Sequence, residues 1–277
     1  MTEYRKESSV LRFLYQTAPG RLLLRPLSSR LVSEICGAFL DSTFSTPLIG
    51  PFVRKNHIDL SQYYSSGFRC FNDCFSRKIK RGYRPIDVDP KALIAPCDGY
   101  LSAYPIRKGT VIPVKQSRYT VDSLLGHDPI AEKYKDGICL VFRLCVDNYH
   151  RYCYVDSGQK GENVFLPGKL HTVRPIALAN APVFVQNCRE YTVIETENFG
   201  TVIQMEVGAM LVGKIRNYHG KGFVRRGGEK GCFLYGGSTV ILLLEKDSVC
   251  VPERFFSATR RQMEIPVKMG EAIGRKK

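Results

Sequence analysis

Residues 238–245 read STVILLLE and residues 201–215 read TVIQMEVGAMLVGKI. Both are short apolar runs rich in β-branched residues, and each is bounded by glycine or charge, which is the pattern of a strand. Similar runs extend outward from them: ALIAP (92–96), LSAYPI (101–106), TVIPV (110–114), ICLVFRLCV (138–146), YCYVD (152–156) and TVIETE (192–197). Gly, Asp and Asn separate them. From residue 92 onward the spacing predicts a β-rich core, with no internal repeat, low-complexity tract or long linker.

Upstream the period changes. In residues 68–81, FRCFNDCFSRKIKR, the side chains of Phe68, Phe71, Phe75 and Ile79 fall on one stripe, which predicts an amphipathic helix ended by Arg84-Pro85. Residues 10–15, 21–27 and 31–40 carry Leu, Ile and Phe at helical spacing, with Arg12, Arg21, Arg25 and Arg30 interleaved. Pro19, Pro26, Pro47 and Pro51 break this region into short helices. The pattern fits a basic amphipathic region lying on a membrane surface, and equally a helical layer packed on the core with its arginines in water. The expected fold is α+β: a helical N-terminal layer (1–65) on a β-rich core (66–277).

Composition narrows the classes of function. Of 277 residues, 44% are hydrophobic and 24% charged, an ordinary globular balance. No apolar run approaches the roughly 18 residues of a membrane-spanning helix. The opening MTEYRKESSVLRFLY lacks the apolar core and cleavage site of a signal peptide. The expectation is a chain neither integral to a membrane nor secreted. Lys plus Arg number 41 against 26 Asp plus Glu, a formal charge of +15 that favours an anionic partner, nucleic acid or anionic lipid. The ten cysteines are scattered, and only Cys70 and Cys74 lie close together, without a second pair or His cluster to complete a zinc site. They read as reduced thiols and small core hydrophobes, and no metal is expected.

Four clusters carry chemistry: Pro96-Cys97-Asp98-Gly99, the segment 147–153 (DNYHRYC), Leu170-His171-Thr172-Val173, and Gly236-Gly237-Ser238-Thr239 ahead of the strand at 240–244. Singly, each is a common turn or loop. Together they supply an acid, imidazoles and a glycine-flanked serine, the inventory of an activated nucleophile. The serine is not in a G-x-S-x-G elbow, because Val240 stands at the second glycine position and a strand, not a helix, follows.

Eight segments in order now bear a likeness to a known family: FNDCFSRKIKRGYRPID (71–87), APCDG (95–99), DNYHRY (147–152), PGKLHTV (167–173), REYTVIETENFG (189–200), MEVGAMLVGKI (205–215), GEKGCFLYGGST (228–239) and VKMGEAIG (267–274). Over about residues 65–277 the chain resembles the bacterial proenzyme of phosphatidylserine decarboxylase. The resemblance implies self-cleavage at Gly237-Ser238, giving a large chain (1–237) and a small chain (238–277) that stay together as a heterodimer. Ser238 Oγ would attack the Gly237 carbonyl to form an ester. Loss of the Ser238 Cα proton would then release the Gly237 carboxylate and leave a dehydroalanine that hydrolyses to a pyruvoyl group. That covalent cofactor would form a Schiff base with phosphatidylserine and accept the electrons left by carbon dioxide, yielding phosphatidylethanolamine.

The resemblance also implies an Asp-His-Ser processing triad, onto which Asp98 and Ser238 map. Many members read Tyr-His-Arg-x-His, but here Cys153 replaces the second histidine. His171 is expected as the base for self-cleavage, brought beside Cys153 by a hairpin between 152–155 and 169–173. His150 is expected to help decarboxylation, with Asp147 either orienting it or ending a solvated strand. His150 as the cleavage base, or a Cys153 thiolate beside Arg151, are the alternatives. His57, His127 and His219 match no motif and read as structural. The expected partner is an anionic phospholipid membrane carrying phosphatidylserine, met peripherally on the cytoplasmic face of the cell membrane through residues 1–65. No nucleic acid is expected, since no aromatic stacking platform interleaves with the basic residues. A non-catalytic binding module, or pyruvoyl chemistry on another amino-acid headgroup, are the competing functions.

Overall fold

The computed structural model describes residues 9–27, 29–65, 67–107, 112–114, 117–168, 187–208, 215–234 and 238–277. Three helices come first: α1 (Ser9–Gln16), α2 (Ala18–Leu27) and α3 (Arg30–Asp41). Ser29 caps α3 by accepting a hydrogen bond from the Val32 amide. A 3-10 turn at Thr43–Leu48 leads into α4 (Ile49–Lys55), and the short α5 (Phe71–Phe75) follows.

The rest is mostly strand: β1 (Ala92–Ile94), β2 (Gly99–Pro105), β3 (Ile112–Val114), β4 (Ser117–Tyr119), then helix α6 (Val121–Leu124), β5 (Ile138–Leu144), β6 (Arg151–Cys153) and β7 (Gly158–Leu166). After these come β8 (Arg189–Thr196), β9 (Gly200–Val207), β10 (Ile215–Asn217), β11 (Gly222–Val224), β12 (Glu229–Phe233), β13 (Ser238–Leu244), β14 (Val249–Cys250), helix α7 (Glu253–Arg260), β15 (Ile265–Val267) and β16 (Ala272–Lys276).

Eight strands form one antiparallel sheet in the order β11-β7-β8-β9-β13-β5-β2-β15. Two three-stranded sheets, β1-β16-β14 and β10-β12-β6, lie apart from it. The apolar run that identifies β13 is explained by its place: it hydrogen-bonds to β5 on one edge and β9 on the other, and all seven residues are buried. Ile241 and Leu243 join a cluster with Leu14 and Tyr15 of α1 and Leu24 of α2. Val240, Leu242 and Leu244 join the opposite cluster with Tyr152, Phe233, Phe255 and Ile273. A strand clad on both faces reads as a continuous hydrophobic run. Each such leucine contributes about 1.5–3 kcal/mol of burial.

The α+β expectation therefore holds for the described residues, and the N-terminal helices do form a layer on the core. They keep apolar side chains outside as well: Val10, Phe13, Leu22, Leu31 and Ile35 are exposed, beside exposed Arg12 and Arg21. Among the described residues no helix is long and apolar enough to cross a membrane. None of the ten cysteines is in a disulfide, and seven are buried.

One predicted element is shorter than expected. The helix over 68–81 is confined to Phe71–Phe75. Arg77 ends it by turning inward: its guanidinium is buried and donates to the carbonyls of Cys74, Phe75, Asp147 and Asn148. Ile79 then leaves the helical stripe for a β-bridge with Tyr63. The expected hairpin of 152–155 with 169–173 falls partly outside the described residues. The strand that pairs with β6 is β12.

Candidate active site

Ser238 is the first residue of β13 and pairs with Leu144 of β5. It is 1% exposed, and among the described residues its Oγ has no hydrogen-bond partner. A buried hydroxyl without a partner costs about 1–3 kcal/mol and asks for an explanation. Gly236 and Gly237, like His171, lie outside the described residues.

Asp98 sits in the turn before β2, on the other side of β5. Tyr100 and Thr239 both pair with Arg143, so the β2 and β13 backbones are two strand spacings apart, roughly 10 Å. Gly99 allows this close fit, because a Cβ there would lie 2.9 Å from the Arg143 carbonyl oxygen. The Asp98 carboxylate is held by Arg84, with Nε to Oδ1 at 2.7 Å and Nη2 to Oδ2 at 2.5 Å, and Oδ1 also accepts from the Met269 amide at 3.0 Å. A fork-on-carboxylate pair fixes the plane of the acid. A cleft of 460 Å³ opens beside it, lined among others by His57, Tyr63, Tyr100, Asn148 and Lys268.

His150 is wholly buried, with its ring 4.0 Å from that of Phe75 on α5. Its Nδ1 lies 2.9 Å from the Asn148 carbonyl oxygen. A carbonyl only accepts, so Nδ1 carries the proton and Nε2 is left with a lone pair. That Nε2 is buried and has no partner. Burial, and next the Arg77 guanidinium, pull the imidazole pKa down to about 3. Arg77 also donates to the same Asn148 carbonyl, so one buried guanidinium holds the loop and disfavours charge on the ring. The Asn148 backbone orients His150, and the Asp147 side chain instead lines the cleft. The His150 carbonyl accepts from the Phe233 amide, which ties the histidine to the strand leading toward Ser238.

Asp98 and Ser238 thus flank the Arg143–Leu144 end of β5, His150 follows in the loop after it, and among the described residues no hydrogen bond joins the three. Cys153 is buried, and burial pushes its thiol up to about 12. Arg151 is turned away, to the Ser76 carbonyl and the Glu229 carboxylate. A Cys153 thiolate therefore has no support. His57 lines the cleft, His127 pairs with Asp122 at the surface, and His219 contacts the Tyr154 hydroxyl.

Three participants were not legible as such. Arg77 and Arg84 lie within the 71–87 motif, but nothing local shows that one is buried and the other clamps Asp98. Glu206, in β9, is buried against Lys230 of β12. A lone acid inside an apolar strand is the signal that marks it.

Comparison with known proteins gives a consistent family. A family model described as phosphatidylserine decarboxylase matches residues 71–275. Phosphatidylserine decarboxylase proenzyme 2 of Clostridium acetobutylicum is 42% identical over 273 residues, covering 98% of this chain and 94% of that protein. The phosphatidylserine decarboxylase proenzymes of Clostridium botulinum strain Langeland and Clostridium novyi strain NT are 40% and 38% identical, each covering 96% of this chain and 92% of theirs.

The buried imidazole gives a spectroscopic expectation. At pH 5 the ¹⁵N shifts of His150 report a neutral ring protonated at Nδ1, and a charged ring or an Nε2–H tautomer would contradict the geometry. The unfolded ring takes up a proton near 6.5 and the folded ring only near 3. Stability from this site is therefore lost as pH falls through that window.

Proposed function

The chain belongs to the phosphatidylserine decarboxylase family and its activity is the decarboxylation of phosphatidylserine; we propose that it acquires that activity by cutting itself at Gly237-Ser238 and turning Ser238 into a pyruvoyl group. The observation that carries this reading is the Ser238 hydroxyl, buried and without a partner at the head of a strand that two glycines precede. The site fits such a group, since a side chain about to be consumed has no use for a permanent hydrogen bond. When formed, the pyruvoyl carbonyl would supply an acceptor for the substrate amine and for the electron pair left by carbon dioxide.

The chain's own residues have separable tasks in this account. Ser238 Oγ attacks the Gly237 carbonyl carbon. His171 takes the hydroxyl proton, the role left open by Cys153. Asp98, fixed in plane by Arg84, supplies the acid of the proposed triad. His150 offers a neutral Nε2 to the proton exchanged at the substrate Cα. After cleavage the small chain would contain β13 to β16 and α7. Its β13 is bonded to large-chain strands on both edges, which favours a heterodimer that stays assembled.

The membrane partner is supported by charge and surface. Exposed Leu22, Leu31, Ile35 and Phe44 stand beside exposed Arg12 and Arg21, on a chain of net charge +15. Anionic lipid attracts such residues by about 1 kcal/mol each near the surface. The anionic cytoplasmic leaflet of the cell membrane is the proposed site of peripheral attachment.

Ser238→Ala should remain a single chain and release no carbon dioxide from phosphatidylserine. His171→Ala should slow cleavage by about 10²-fold or more, while His150→Ala cleaves and fails in decarboxylation; the opposite pattern reverses the two assignments. For the membrane, Leu14, Tyr15 and Leu24 are core residues, so truncation would unmask the core. Leu22→Ser, Leu31→Ser and Phe44→Ser combined keep the core and should weaken binding to phosphatidylglycerol vesicles. Undiminished binding would refute attachment through these helices.

A further inference from the structure

On the face of the large sheet shared with Ser238 lies a buried polar network that the account above does not use. Glu206 and Lys230 are both fully buried, with Nζ to Oε2 at 2.5 Å. Lys230 Nζ also donates to Asn217 Oδ1 at 3.0 Å, and the Tyr152 hydroxyl donates to the same oxygen at 3.2 Å. Asn217 Nδ2 donates to Glu206 Oε2 at 3.1 Å and to Glu190 Oε1 at 2.8 Å. Gly231 makes the crossing possible, because a Cβ there would lie 2.8 Å from the Tyr152 hydroxyl.

Both hydrogen bonds that the network makes to the Glu206 carboxylate fall on Oε2. Glu206 Oε1 is buried and has no hydrogen-bond partner among the described residues. Burying an ion pair is costly until the pair attraction repays it, and a bare carboxylate oxygen adds to that cost. The register shows what the oxygen is near. Val240 pairs with Glu206, so Ser238, two residues earlier on β13, is the diagonal neighbour of Glu206 on the same face, with Cβ atoms roughly 7 Å apart. Phe142 and Leu144, paired with Val240 and Ser238, belong to the apolar cluster on that face. Two unpartnered buried groups, an acceptor and a hydroxyl, therefore share one sealed face.

We infer that Glu206 is the base that removes the Cα proton of Ser238 once the Gly237-Ser238 amide has become an ester. The inference rests on the self-cleavage reading. The Cα–H bond breaks and its proton goes to Oε1. The electron pair forms the Cα=Cβ bond, the Cβ–Oγ bond breaks, and Gly237 departs as a carboxylate carrying Oγ. The dehydroalanine left at position 238 takes up one water and releases one ammonia, giving the pyruvoyl group. Lys230 pairs with Oε2 and leaves Oε1 to the proton. Burial raises the Glu206 carboxyl above its ordinary value against the pull of Lys230, which suits it to accept a proton from carbon. Glu190 lies one strand further from Ser238.

The test follows the ester. Glu206→Gln keeps the shape, and Glu206→Gln with Lys230→Gln keeps it without leaving a buried lysine unpaired. Both should form the two-chain protein at least about 10²-fold more slowly than the natural chain. The uncut species should be split by hydroxylamine, which attacks esters and spares amides, giving a 238–277 fragment whose Ser238 has a free amino group. Maturation of either variant to a pyruvoyl-blocked small chain at the natural rate overturns the inference. Resistance of both uncut variants to hydroxylamine also overturns it, since the ester then never formed. A natural chain that stays uncut and resists hydroxylamine removes the self-cleavage reading itself, and is distinguished from the other results by the control lane alone.

Discussion

Strand β13 has no free edge and no free face. It is hydrogen-bonded to β5 and β9, and its side chains alternate between the two main apolar clusters of the molecule. That constraint sets the position of Ser238, because the residue opening such a strand cannot shift without dragging the sheet's central register with it. It also sets what surrounds the hydroxyl: apolar residues and a few polar groups held by their own networks. A nucleophile placed there is kept from water and needs no lid to exclude it. The same pairing makes the strand hard to lose after a cut at its head, since strands from the proposed large chain hold both of its edges.

The electrostatics of the region divide between two kinds of site. On the cleft side, Asp98 is clamped by Arg84 and a backbone amide, an arrangement that fixes an acid as a negative charge in a defined plane. Inside, His150 is held neutral by burial and by Arg77, and Glu206 is paired through one oxygen with Lys230, its other oxygen without a partner among the described residues. A neutral imidazole and an anchored carboxylate can each accept a proton, but a buried thiol raised as far as that of Cys153 cannot. Cys153 therefore supplies no base.

Much of this was legible in the chain itself. The strands at 138–144 and 238–244 stand out because burial on both faces leaves an uninterrupted apolar run, and the short N-terminal helices stand out by period and proline. The helix expected over 68–81 failed for a reason no local pattern carries. Arg77 looks like one more basic residue on a solvated face, yet it is buried and bonded to carbonyls seventy and seventy-one residues away. Asp98 and Ser238, the expected triad residues, came from motif order, but the Arg84 clamp depends on a tertiary approach. Glu206 was not singled out, because an acid in an apolar strand carries no role by itself and its pairing with Lys230 joins two sheets that spacing does not bring together.

The central claim is that the buried hydroxyl at the head of β13 is consumed by self-cleavage. The most direct measurement is the intact mass of the purified chain under denaturing conditions. The account predicts two species that divide between Gly237 and Ser238, with the smaller one lighter than residues 238–277 by the conversion of serine to pyruvoyl and closed to amino-terminal sequencing. A single species with the mass of all 277 residues, persisting in the presence of anionic phospholipid, would contradict it.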